Sequence, residues 1–127
     1  MDSLKATMLQ AVSGMQLQSK RIDVSSQNVS NADTPGYRRK ILSVEQAPTA
    51  ADAFIATRVD LDETEGERLY DPASPLSDEE GYVTASNVSL VTEMADMREA
   101  NRSYEANLNS FRQARSMYQS LLDILRR

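Results

Sequence analysis

The chain has 127 residues, 40% of them apolar and 26% charged, enough for one modest core and short of two. It contains no Cys, no His and no Trp; disulfides, Cys/His metal sites, thiol nucleophiles and Ser-His-Asp triads are therefore excluded, leaving carboxylate pairs, Lys or Tyr chemistry, or an all-oxygen metal site. The net charge of -5 is uneven: residues 1–40 carry six basic and three acidic side chains, residues 41–81 two and eleven, and residues 82–127 six and five, a layout that favours contacts between copies over nucleic-acid binding, which needs a basic stripe.

From the start of the chain the apolar spacing alternates four and three: Leu4, Met8, Ala11, Met15, Gln18, Ile22, Ser25, Val29. That is a heptad seam, widened by Leu9 and Val12 and interrupted by Gln18 and Ser25, and it predicts a helix over about residues 3–30, about 40 Å long. The first fifteen residues include Lys5 but no run of seven apolar residues. No stretch has the length and apolarity of a bilayer span, and neither a cleaved signal nor direct membrane insertion is expected.

The segment Asn28 to Lys40 reads as a helix stop followed by a reversal. Asn31 suits a left-handed C-cap, Asp33 an Asx-turn, and Pro35-Gly36 the central positions of a type II turn. Tyr37 is positioned to anchor that turn on the helix, and Arg38, Arg39 and Lys40 form a short basic strip.

Between residues 41 and 85 the character changes. Pro48, Gly66, Pro72 and Pro75 punctuate short apolar runs, and Ile41–Glu45, Ala53–Leu61, Arg68–Tyr70 and Tyr82–Thr84 read as strands. Ile55, Thr57, Val59 and Leu61 alternate with Phe54, Ala56, Arg58 and Asp60, the pattern of a half-buried strand, with Asp62 to Glu67 as its hairpin turn. The acidic run Asp60 to Gly66 fails the calcium-loop register, since the sixth position is Glu65 instead of Gly and the twelfth is Asp71 instead of Glu. It reads as a solvated turn, and Asp78, Glu79 and Glu80 as a charged loop. Three Asn-x-Ser triplets, at Asn28, Asn87 and Asn101, read as coincidence.

The second seam runs Leu90, Met94, Met97, Asn101, Tyr104, Leu108, Phe111, Arg115, Tyr118, Leu122, Leu125, with no Pro or Gly from Asn87 to Arg127. A continuous helix of about 55–60 Å is expected, capped by Asn87 or Ser89 with Glu93 complementing the dipole. A flanking set, Asn107, Ser110, Ala114, Met117, Leu121 and Ile124, becomes apolar toward the end, so the last turns offer a face too wide for one partner helix.

The turn residues Asn28, Asn31, Thr34, Pro35, Gly36 and Tyr37 resemble the motif after the first helix of bacterial flagellar axial proteins, the rod, hook and hook-associated subunits. A second block, Tyr70-Asp71-Pro72, Pro75-Leu76, Gly81-Tyr82-Val83, Asn87-Val88, Glu93-Met94, Arg102-Ser103-Tyr104 and Ala106-Asn107, resembles the proximal rod group of that family. Ser86 and Ser89 depart from it, where the family often has Pro and Asp.

The fold expected is mainly α. Long terminal helices pair as a coiled-coil-like inner domain (residues 1–40 and 86–127), and residues 41–85 form a small acidic β-rich insert. The resemblance implies a non-enzymatic structural subunit of the flagellar rod, exported through the flagellar type III apparatus without a cleaved signal to a periplasmic rod. It would bind copies of itself, other rod proteins and basal-body components, with no cofactor and no metal. The assembly seam is expected at Leu4, Met8, Met15, Ile22, Leu90, Met94, Met97, Tyr104, Leu108, Phe111, Tyr118, Leu122 and Leu125, with the isolated monomer's ends partly disordered. Two other readings stay open: another secreted helical assembly or adaptor protein, and a cytoplasmic regulator or enzyme using carboxylates.

Overall fold

The computed structural model describes residues 2–45 and 56–126. Helix α1 spans Asp2–Ser30 and helix α2 spans Leu90–Leu125, about 44 and 54 Å at the usual rise. Between them lie strands β1 (Lys40–Glu45), β2 (Ala56–Leu61), β3 (Arg68–Tyr70) and β4 (Tyr82–Thr84). The chain is thus a helix pair with two small antiparallel sheets, β1-β2 and β3-β4.

The helices run antiparallel. Lys5 Nζ lies 5.7 Å from the centre of the Tyr118 ring, Arg21 pairs with Glu99 at 3.8 Å, and Asn28 meets Glu93, so early α1 faces late α2. In α1 the packed line follows the expected heptad: Ala11 and Ser25 are buried, and Leu4, Met8, Met15, Ile22 and Val29 are half-buried. In α2 the line is turned from the expected one. Glu93, Ala100 and Ala114 are buried and Asn107 is half-buried, while Asn101 and Arg115 face solvent. Met97, Phe111, Tyr118 and Leu122 stay on the contact side.

The physical reason is close approach. A Cβ built on Gly14 would stand 2.7–2.9 Å from the amide of Asn107, so the backbones come together there because one side lacks a side chain. Small residues let the helices touch, and the larger apolar side chains are displaced to the flanks. Among the described residues the fully buried apolar set is only Ala11, Ala100 and Ala114.

In the sheets, Lys40 pairs with Leu61 and Leu42 with Val59, which puts Lys40, Leu42, Val44, Thr57, Val59 and Leu61 on one face. Lys40 and Thr57 on that face reach α1, Lys40 Nζ donating to Gln27 Oε1 and Lys20 Nζ to Thr57 Oγ1, while Val44, Val59 and Leu61 stay exposed. Ala53, Phe54 and Ile55, expected at the start of the second strand, lie outside the described residues. Asp62 to Glu67 does not form a hairpin turn. It links the two sheets, and β2 pairs backward with β1 instead of forward with β3. Gly66 fits this link because a side chain there would strike the Ala85 carbonyl, whose residue donates its N–H to Glu67.

Gly14→Leu should lower stability by about 1–3 kcal/mol, the usual cost of overpacking a close contact. Chemical denaturation followed by circular dichroism checks this. Removing the obstructing amide in the Gly14→Ala, Asn107→Ala double variant should recover the stability lost by Gly14→Ala alone.

Candidate assembly surface and the polar knot beneath it

The helix stop is built differently from its sequence expectation. No non-glycine residue among those described has positive φ, so Asn31 is not a left-handed cap. Its N–H is shared between the Gln27 and Asn28 carbonyls, and its side chain donates back to Gln27, which tightens the last turn. Asp33 cannot close an Asx-turn, because the residue two positions on is Pro35, which has no N–H. Pro35-Gly36 does turn the chain as expected: Gly36 has φ 75°, and Tyr37 N–H donates to the Thr34 carbonyl at 3.2 Å.

Tyr37 then anchors the turn, its hydroxyl donating to Asn28 Oδ1 at 2.9 Å. Asn28 is 1% exposed and meets every hydrogen-bonding demand of its amide. Its Oδ1 also accepts from Lys40 N–H at 2.9 Å, and its Nδ2 donates to the Lys40 carbonyl at 2.9 Å and Glu93 Oε1 at 3.2 Å. A side chain thus takes the place of a neighbouring strand at the first residue of β1.

Glu93, in the first turn of α2, is wholly buried. Arg39 Nε donates to its Oε1 at 2.5 Å, and Arg39 Nη2 reaches Asp96 at 3.0 Å. The hydrogen bond to Glu93 is the main cause that raises the Arg39 pKa, opposing desolvation. Burial, seconded by the Glu93 charge, pushes the Tyr37 hydroxyl upward from its ordinary value. Glu93 Oε2 has no hydrogen bond among the described residues, and the adjoining recess of about 150 Å³, lined by Arg21, Ser25, Arg39 and Asp96 among others, is polar and roomy enough for water.

Asn87 ties the remaining segments. Its N–H donates to the Tyr37 carbonyl, its Oδ1 accepts from Arg39 N–H, and its Nδ2 donates to the Asp62 and Thr64 carbonyls at 3.0 and 2.7 Å. Ser89 is therefore the residue left to cap α2, accepting from Thr92 N–H. Arg38 donates to the Glu63 and Thr64 carbonyls and Lys40 to Gln27, so the expected basic strip is divided among three separate contacts.

Over this frame the expected seam residues divide. Leu4, Met8, Met15, Ile22, Met97, Leu108, Phe111, Tyr118 and Leu122 are half-buried between the helices. Tyr104 is at the margin, and Leu90, Met94 and Leu125 stand exposed at 49%, 63% and 71%. With Leu9, Val91, Met117, Leu121 and Ile124 they form apolar surface that the described residues leave uncovered. Among the described residues no three His, Cys, Asp or Glu side chains are grouped to hold a metal ion, and no helix is long and apolar enough to cross a membrane. Among the described residues the arrangement offers surfaces and no catalytic constellation. Sequence reasoning missed Arg39, Glu93 and Asn87 as partners; the only signals were the basic run Arg38-Arg39-Lys40 after the turn and a carboxylate in the first turn of α2.

Arg39→Ala, which strips the buried carboxylate of its cation, should cost about 3–5 kcal/mol in denaturant unfolding, and replacing Arg39 and Glu93 together by Met should recover much of it. Acidification should loosen two loop contacts. Thr64 N–H lowers the Asp62 pKa, and Tyr82 N–H, with Arg68 beside it, lowers that of Asp78. Their contribution is complete above the ordinary carboxylate range and is lost as pH falls through the depressed folded values. Protection of the Thr64 and Tyr82 amides, measured against their intrinsic exchange rates, should therefore fall as pH drops through those depressed values.

The matches to known proteins fall on the same elements. The family described as "Flagella basal body rod protein" matches residues 8–38, and "Flagellar basal body rod FlgEFG protein C-terminal" matches residues 79–124. The flagellar basal-body rod protein FlgC of Agrobacterium fabrum is 39% identical, the alignment covering 99% of this chain and 98% of the relative. That of Borreliella burgdorferi is 36% identical, covering 91% and 93%, and that of Salmonella typhimurium 35%, covering 84% and 87%. The chain belongs to the flagellar basal-body rod protein family, matching these FlgC members over 84–99% of its length.

Proposed function

We infer that the chain is a structural subunit of the flagellar basal-body rod, and that it assembles through its terminal helices. The observation that carries this is the thin intramolecular core. Three alanines are the fully buried apolar residues among those described, while large apolar side chains line both ends of α2. Such a surface is buried only when neighbours arrive.

In this reading residues 1–40 and 86–127 form the inner rod unit and residues 41–85 the outer insert, with the seam residues shared between the helix pair and its neighbours. The half-buried set holds the pair together, and Leu90, Met94 and Leu125 face other subunits. Long seams also suit transmission of torque, since shear is resisted by many interdigitated side chains at once. The partners are copies of this chain, other rod proteins and basal-body components. Export through the flagellar type III apparatus, without a cleaved signal, delivers the subunit to the periplasmic rod. Helices that gain most of their burial from neighbours are incompletely formed in a dilute monomer.

Two variants separate folding from assembly. Met117→Asp with Ile124→Asp, both at exposed positions, should leave monomer helicity unchanged and abolish swimming in a strain lacking the wild-type gene. Leu108→Asp should lose both. Normal motility with the double variant, with the protein present in purified basal bodies, would refute assembly through this face.

A further inference from the structure

The β3-β4 hairpin is a prebuilt knob that makes no hydrogen bond or ion pair to either helix among the described residues, touching the turn after α1 through Gly36 N–H to the Thr84 carbonyl. Asp78 Oδ1 accepts from Glu80 and Tyr82 N–H, its Oδ2 takes Arg68 at 2.6 Å, and Tyr70 and Tyr82 meet edge to face at 5.3 Å. So ordered, it still presents Tyr70 and Leu76 at 68% and 65% exposure, and exposed Asp71 and Glu79 have no ion pair among the described residues. Order without occupancy is what a preorganised contact surface requires.

A surface of matching chemistry lies on α2. By helical spacing Val91, Met94, Arg98 and Arg102 share the face opposite Ala100, Asn107 and Ala114, so they point away from α1. Val91 and Met94 are 80% and 63% exposed, and neither Arg98 nor Arg102 enters an ion pair among the described residues. One surface is apolar with an acidic rim, the other apolar with a basic continuation.

We propose that these two surfaces bind each other between copies: the β3-β4 knob of one subunit, through Tyr70, Leu76, Asp71 and Glu79, docks on the outer face of the first half of α2 of the next. This rests on the rod reading only in requiring many copies side by side. A second copy is the occupant because both halves of the contact are on this chain, complementary in charge, and both are exposed among its described residues. Different patches joined head to tail form a heterologous contact, which propagates into a ring or a helix, the symmetry of a tube wall. The apolar pairs supply the contact and the charges its register.

The chain has no cysteine, so introduced thiols report cleanly. Leu76→Cys and Met94→Cys subunits are produced together, and oxidative cross-linking is run both on purified basal bodies and on the concentrated purified proteins. The expected product is the 76–94 heterodimer, in about tenfold excess over either homodimer. Arg98→Glu with Arg102→Glu on the Met94→Cys subunit should cut it about tenfold, and Asp71→Arg with Glu79→Arg on the other should restore it. Basal bodies that contain the subunit but give no 76–94 product overturn the docking and leave the rod reading intact. If the subunit is missing from basal bodies the rod reading fails, and the purified proteins decide the docking: no heterodimer, or a product indifferent to charge reversal, overturns it.

Discussion

The rest of the structure depends on where the Glu93 carboxylate sits. A charge wholly removed from solvent is tolerable only with a cation and hydrogen-bond donors in place, and Arg39 and Asn28 supply both. Arg39 comes from the chain just after the turn and Asn28 from the end of α1, so satisfying one carboxylate fixes the start of α2 against the end of α1 and against the first residue of β1. Asn87 repeats the logic with backbone groups, joining the turn, the link between the sheets and the approach to α2. Polar satisfaction, more than apolar burial, decides how the two helices enter and leave the insert.

Away from that knot the helix pair is held lightly. Close approach at Gly14 and Asn107, with alanines on either side, gives a narrow contact that buries little large side-chain surface. The division suits a subunit that adds to a polymer. Its geometry is set at one end by a polar cluster that needs no neighbour, while the apolar surface that rewards association stays available along the helices. A deeper private core would leave less to share with the next copy.

The sequence conveyed the elements well. Heptad spacing located both helices, and the punctuation by Pro and Gly located four strands. The turn at Pro35-Gly36 followed from elementary stereochemistry. Its weaker points were local choices with several chemical solutions. Asn31 caps by side-chain donation instead of left-handed backbone, and Asp33 had no acceptable donor two residues on. The route of β2 was also misread, because a strand next to a turn-like segment can pair in either direction and only the competing partner decides.

The amino-acid order by itself determined the two long helices, the acidic insert between them, the reversal after α1 and, through its motifs, the flagellar rod family. These follow from periodicity, local stereochemistry and charge, which are properties of neighbouring residues. Only the tertiary structure decided which face of α2 turns inward, that Glu93 is buried instead of solvated, and that Asn28 and Asn87 serve as junctions. Each of these depends on groups far apart in the chain meeting, such as Arg39 with Glu93 or Gly14 with Asn107. A pattern of apolar residues cannot show that small side chains and one satisfied charge will win the close contact from larger, more hydrophobic ones.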